Sequence, residues 1–153
     1  MDGQRRALVL VAAGGSLALL LGAFAFQYLG GLAPCKLCLW QRWPHAAAVL
    51  IGLLAFVLPR RIWPVLGAGA AAAAAGLGVY HTGVERGWWT GPTTCTSGPV
   101  GGLAPEDLLN QILAAPVVRC DEVAWSLLGL SMASWNAIAS ALLVLIWVQA
   151  ARR

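Results

Sequence analysis

Charged residues are scarce in this chain: ten Lys and Arg and six Asp and Glu in 153 residues, 10% in all. Soluble domains carry about 25%. Here 59% of residues are hydrophobic and the mean hydropathy is +0.75. The shortage excludes an ordinary soluble domain and points to a bilayer as the surrounding medium. It also leaves no basic surface broad enough for nucleic acid, and no such partner is expected. Other features are missing as well. No small-x-small cleavage site follows the first apolar run, and that run, Ala7 to Phe26, is too long for the core of a secretion signal. Proline at position 34 argues against processing of the faintly lipoprotein-like Leu32-Ala33-Pro34-Cys35.

What remains is a set of apolar runs. Crossing a bilayer takes about 18 or more residues, and Ala7–Phe26, Ile62–Tyr80 and Val123–Ala151 are all free of charge. A fourth candidate, Leu39–Leu58, carries Gln41, Arg42 and His45 near its start. Spans are therefore predicted at about 7–27, 39–58, 62–81 and 125–149, with outward loops at about 28–38 and 82–124. The pairs Arg5-Arg6, Arg60-Arg61 and Arg152-Arg153 put six of the ten basic residues on one face if all four runs cross. The positive-inside rule makes that face cytoplasmic. The expected fold is a single all-α membrane domain over 1–153, a four-helix bundle with both termini cytoplasmic. Trp63 and Trp147 fall near the inner boundary, and Trp40, Trp43, Trp88, Trp89 and Trp125 near the outer one. The net charge of +4 is thus a topology signal. The long outward loop is acidic instead, with Glu85, Glu106, Asp107, Asp121 and Glu122 against Arg86 and Arg119.

All four cysteines fall in the two outward loops: Cys35 and Cys38 in the first, Cys95 and Cys120 in the second. Disulfides persist outside the cytosol, so an even count on that face reads as thiol–disulfide chemistry. Zinc would more naturally bring two close-spaced pairs, and only Cys35-Lys36-Leu37-Cys38 is close. No metal is expected. Haem attachment needs His after the second cysteine, where Leu39 stands. Inert staples are the remaining alternative, but a loop as tight as Cys-x-x-Cys is strained and easily reduced. Cys35, Cys38, Arg42 and His45 recur at helical spacing on one face. An ionisable side chain at the edge of the hydrocarbon by default suggests function. Arg42 could favour a Cys38 thiolate or stabilise charge on a reduced quinone, and snorkelling to the interface is the plainer alternative. For His45 a packing or hydrogen-bonding role is favoured.

Pro34-Cys35-Lys36-Leu37-Cys38-Leu39-Trp40-Gln41-Arg42 resembles the Pro-Cys-x-Leu-Cys-x-x-x-Arg signature of the disulfide bond formation protein B (DsbB) family. Trp125-Ser126-Leu127-Leu128-Gly129-Leu130-Ser131-Met132 is similar to the segment opening that family's last helix. The resemblance covers nearly the whole chain. It implies a thiol:quinone oxidoreductase of the bacterial inner membrane, with redox-active pairs Cys35–Cys38 and Cys95–Cys120 on the periplasmic side. The second pair would oxidise a periplasmic, DsbA-like thioredoxin-fold protein through a mixed disulfide at Cys95. Electrons would pass through a transient Cys35–Cys120 bond to the first pair. The Cys38 thiolate would then deliver them to a ubiquinone or menaquinone from the membrane pool, held beside Arg42. Gln41 stands where some members carry Glu. His81 and Glu85 both fall near a position where some carry a quinone-adjacent His, and neither is assigned.

The second loop suits such a relay. Thr90 to Pro99 is turn-rich, which would expose Cys95. Pro105-Glu106-Asp107 opens a helical pattern whose Leu108, Leu109, Ile112 and Leu113 form an apolar stripe. That helix would lie on the membrane surface or pack within the loop. The third span, rich in glycine and alanine, is expected to pack closely, and Asn136 to hydrogen-bond between helices. The reading from a different class is a non-catalytic membrane scaffold whose two disulfides only brace its outer loops.

Overall fold

The computed structural model describes residues 2–92 and 118–153. Among them are four long helices: α1 (Gly3–Tyr28), α2 (Lys36–Val57), α3 (Ile62–Glu85) and α4 (Met132–Arg152). α1 packs on α2 and α4, and α3 packs on the same two, so the helices close a ring in which α1 and α3 barely touch. At one end Arg5 Nη2 donates to the Arg60 carbonyl at 3.0 Å. At the other end the Ser131 hydroxyl, just ahead of α4, donates to the Glu85 carboxylate at the close of α3. The start of α1 and the end of α4 therefore share the arginine-bearing end.

Three of the helices, α1, α3 and α4, are long and apolar enough to cross a membrane. α2 has 22 residues, about 33 Å at 1.5 Å per residue. It is long enough, but Gln41, Arg42, Pro44 and His45 make its first half polar. Those polar groups all lie toward the cysteine end, and the second half is uncharged and apolar. The chain is a multi-pass membrane protein.

Short polar groups start three of the helices. Asp2 Oδ1 accepts from the Arg5 N–H (2.7 Å), Cys35 Sγ from the Cys38 N–H (3.2 Å), and Ser131 Oγ from the Ser134 N–H (3.2 Å). Each satisfies a main-chain donor that a helix start otherwise leaves open. Ser131→Ala removes both a cap and the hydroxyl that serves a carboxylate only 6% exposed. Its expected cost is about 1–2 kcal/mol, read as a lower unfolding midpoint in detergent, with Ser131→Thr recovering most of it.

The core at the arginine end gathers around Trp147, fully buried with Val9, Ala12, Ala55, Ala71 and Ala150. Small residues let the helices come this close. A Cβ on Gly67 would fall 2.5 Å from the Trp147 ring, and one on Gly78 only 2.9 Å from the Ala137 main-chain nitrogen. The close packing expected of the third span is thus present, as is the interhelical role expected of Asn136, described below.

The start of the last span differs from expectation. Residues 125–131 are not helical. Ser126–Leu127 pairs antiparallel with Leu130–Ser131 in a two-residue hairpin. Leu128 (φ 52°) and Gly129 (φ 76°) are both left-handed, as the tightest turn between two twisted strands requires. The uncharged run continues through this hairpin, so hydropathy alone could not see it. α4 begins only at Met132. α3 in turn runs to Glu85, beyond the expected 81, and α2 starts at Lys36 rather than 39. Both extensions put chemically capable side chains on rigid helix. Cys95 and the expected helix from Pro105 lie outside the described residues.

Candidate functional site

The site lies at the end of the bundle opposite the arginine pairs. The turn into α2 places Cys35 at the helix cap and Cys38 in the first turn. Their sulfurs stand as thiols 2.7 Å apart. Cys35 is buried and Cys38 half-buried. Loss of one proton leaves a thiolate that the remaining S–H stabilises. Loss of the second would put two negative charges in contact. The Cys35 thiol is accordingly pushed far above the usual range, first by its hydrogen bond with Cys38 and then by burial.

His81 and Glu85, one turn apart near the end of α3, close the site from the other side. His81 Nε2 is 3.6 Å from Cys35 Sγ and 3.9 Å from Glu85 Oε1. The Cys120 main chain also lies beside its ring. Cys120 is buried in one small cluster with Cys35, Leu37 and Val84. The residues around Cys120 thus lie against the first cysteine pair, as exchange between the two loops requires. The two sulfurs of that pair and His81 Nε2 fall within 4.8 Å of one another. Tetrahedral zinc would hold its sulfurs about 3.8 Å apart, from bonds of about 2.3 Å. At 2.7 Å the pair is arranged for bonding sulfur to sulfur.

Beneath the cysteines is a cavity of about 340 Å³, mostly apolar, to which Cys35, Cys38, Gln41, Arg42 and His45 of the α2 region all contribute. The helical face read from the sequence is therefore real. Arg42 turns toward α1: Nη1 donates to Gln27 Oε1 (2.6 Å), Nη2 to the Ala23 carbonyl (3.4 Å), and the guanidinium lies 4.8 Å over the Phe24 ring. It is thereby anchored to the last two turns of α1. Its Nε and His45 Nδ1 are buried without a hydrogen-bond partner among the described residues.

Gln41, unassigned from sequence alone, is the hinge of the polar network. Its Nε2 lies 2.7 Å from His81 Nδ1 and its Oε1 accepts from Asn136 Nδ2 (2.7 Å). Asn136 in turn meets His45 Nε2 through Oδ1 (2.8 Å). The signal was present in the sequence as polar residues inside apolar runs, but which of them meet is a fact of helix packing.

Fold and site together define a multi-pass membrane protein with a thiol pair enclosed at one end of its bundle. Comparison with known proteins narrows this. The chain belongs to the disulfide bond formation protein DsbB family, whose model matches residues 5–150. It is 33% identical over 129 residues to a disulfide bond formation protein B of Dechloromonas aromatica (strain RCB), covering 81% of this chain and 78% of that protein. A protein of the same description from Marinobacter nauticus (strain ATCC 700491 / DSM 11845 / VT8) is 32% identical over 141 residues, covering 84% and 80%. One from Pasteurella multocida (strain Pm70) is 33% identical over 138 residues, covering 86% and 78%.

Proposed function

We propose that this protein is an inner-membrane thiol:quinone oxidoreductase that reoxidises a periplasmic, DsbA-like thioredoxin-fold protein and so sustains disulfide bond formation. The observation that carries the reading is a single one: Cys38 and Arg42 line the same apolar cavity. The sulfur that would release electrons and the cation that would stabilise their arrival share one enclosure.

The cavity fits a quinone ring. Its walls are largely apolar, as small-molecule sites are, and it is bordered by Arg42 and His45, each with a buried nitrogen lacking a partner among the described residues. Arg42, held by Gln27 and the Ala23 carbonyl, would bind one ring oxygen, and His45 would border the same space. A bound ubiquinone or menaquinone supplies an acceptor for two electrons and two protons. The protein's own part is thiol exchange. A partner thiolate attacks the Cys95–Cys120 disulfide at Cys95, and the released Cys120 thiolate attacks Cys35. Cys38 leaves as thiolate at the cavity wall. Each exchange needs a thiolate in line with the bond it breaks, and the burial of Cys120 beside Cys35 supports that alignment. The arginine pairs at the opposite end of the bundle support a periplasmic placement of all four cysteines.

The test is quinol formation by the purified protein with a reduced thioredoxin-fold dithiol and ubiquinone. Arg42→Met is expected to raise the quinone KM by about tenfold to a hundredfold, since a charged hydrogen bond contributes about 1.5–3 kcal/mol. Arg42→Lys should retain part of the binding. Cysteine pairs that resist the dithiol, with no quinol produced, would identify loop braces instead.

A further inference from the structure

His81 was left unassigned by the sequence, and the polar chain behind it belongs to no step of the exchange. Yet that chain has a fixed direction. Gln41 Nε2 is 3.3 Å from the Leu37 carbonyl, and Asn136 Nδ2 is 3.5 Å from the Ala74 carbonyl. A carbonyl can only accept, so it must face each amide's nitrogen and not its oxygen. Those two main-chain groups settle both amide orientations. Gln41 Nε2 then donates to His81 Nδ1, because an amide nitrogen has no lone pair to accept with. Nδ1 is bare, and the imidazole proton sits on Nε2. At the far end, His45 Nε2 donates to Asn136 Oδ1, and Asn136 Nδ2 donates to Gln41 Oε1. Every donor points the same way, across α2 and α4 and into α3.

The proton so placed faces the junction of the two cysteine loops. His81 Nε2 is 3.6 Å from Cys35 Sγ, and the Cys120 segment packs against the same pair, its main chain beside the ring. Glu85 Oε1 lies farther off than Cys35 Sγ, at 3.9 Å, and the Ser131 hydroxyl already occupies that carboxylate through its other oxygen.

We propose that His81 is the positioning residue for exchange between the two cysteine pairs, holding Cys35 and the Cys120 segment to one donor, with His45, Asn136 and Gln41 fixing the tautomer that makes it a donor. This rests on the exchange reading above, but two of its consequences need neither quinone nor partner. The first is spectroscopic. In the full-length protein labelled with 15N-histidine, His81 is expected as the Nε2–H tautomer. Gln41→Glu replaces the donor with a carboxylate and should leave His81 protonated at Nδ1. His81 carrying its proton on Nδ1 in the parent would overturn the proposal.

The second is a rate. In the Cys38→Ser/Cys95→Ser variant only Cys35 and Cys120 remain. Oxidised glutathione converts the two thiols to one disulfide and is itself reduced to two glutathiones. Adding His81→Asn, whose amide reaches only the Nδ1 position, should slow that bond by about tenfold through lost alignment. His81→Gln, whose amide reaches the Nε2 position, should stay within about twofold of the His81 form. Equal rates in both would overturn the positioning role. Absence of quinol formation with these two results intact would instead count against the proposed function.

Discussion

Cys38→Ser is expected to abolish quinol formation, a loss of at least about a thousandfold, because the variant removes the sulfur that would release electrons and with it the Cys35–Cys38 disulfide. Cys35 borders the cavity as well, but it is buried among Cys38, His81 and the Cys120 segment. A serine hydroxyl is a far weaker nucleophile and cannot form the disulfide. The block should fall late in the relay. Reduced partner should still exchange once with the outer pair, leaving Cys95 and Cys120 as thiols, because without Cys38 there is no Cys35–Cys38 disulfide for Cys120 to attack. Cys95→Ser should instead stop the partner's oxidation at the first step, with the Cys35–Cys38 pair untouched. Non-reducing electrophoresis after a brief exposure to reduced partner separates the two blocks. Turnover of both variants at the parental rate would remove the relay altogether.

The largest expected effect on stability comes from Gly78→Ala. Its Cβ would lie 2.9 Å from the Ala137 nitrogen and 3.0 Å from the Ala137 Cα. These are main-chain atoms of α4, so no rotamer change relieves the contact and the helices must separate. Overpacking of this kind costs about 1–3 kcal/mol, and helix propensity returns only about 1 kcal/mol of it. Gly76, two residues earlier, has nothing within 4 Å of the equivalent Cβ position. Gly76→Ala should therefore be neutral or slightly stabilising. Denaturation of the two variants in the same detergent gives the comparison. Gly78→Ala should also lower activity in bilayers, since Asn136, next to Ala137, would withdraw from Gln41 and the Ala74 carbonyl. Equal stability of the two variants would mean that the α3–α4 approach is looser than it stands here.

Much of this arrangement could be read in advance from the chain. Apolar runs located all four helices. The spacing of Cys35, Cys38, Arg42 and His45 identified one wall of the cavity. Other features escaped for physical reasons. Leu128 and Gly129 turn the chain through left-handed conformations inside an uncharged run, and hydropathy has no term for φ. Alignment through the glycine-rich third helix could not choose between His81 and Glu85. The structure puts both at the site, one turn apart and within 3.9 Å. Gln41 and His81 are 40 residues apart and Gln41 and Asn136 are 95 apart. No local pattern reports such meetings, since they exist only once α2, α3 and α4 are packed.

Asn136 also carries a consequence for assembly. It is tied to two side chains of α2 and one carbonyl of α3. Sliding α4 by one turn, about 5.4 Å, would strand several amide and imidazole groups in a medium that offers them no water. Slippage that an all-aliphatic seam would tolerate is penalised here at three points simultaneously. α4 thus has a single depth at which it comes to rest, and the thiol site takes shape only when it reaches it.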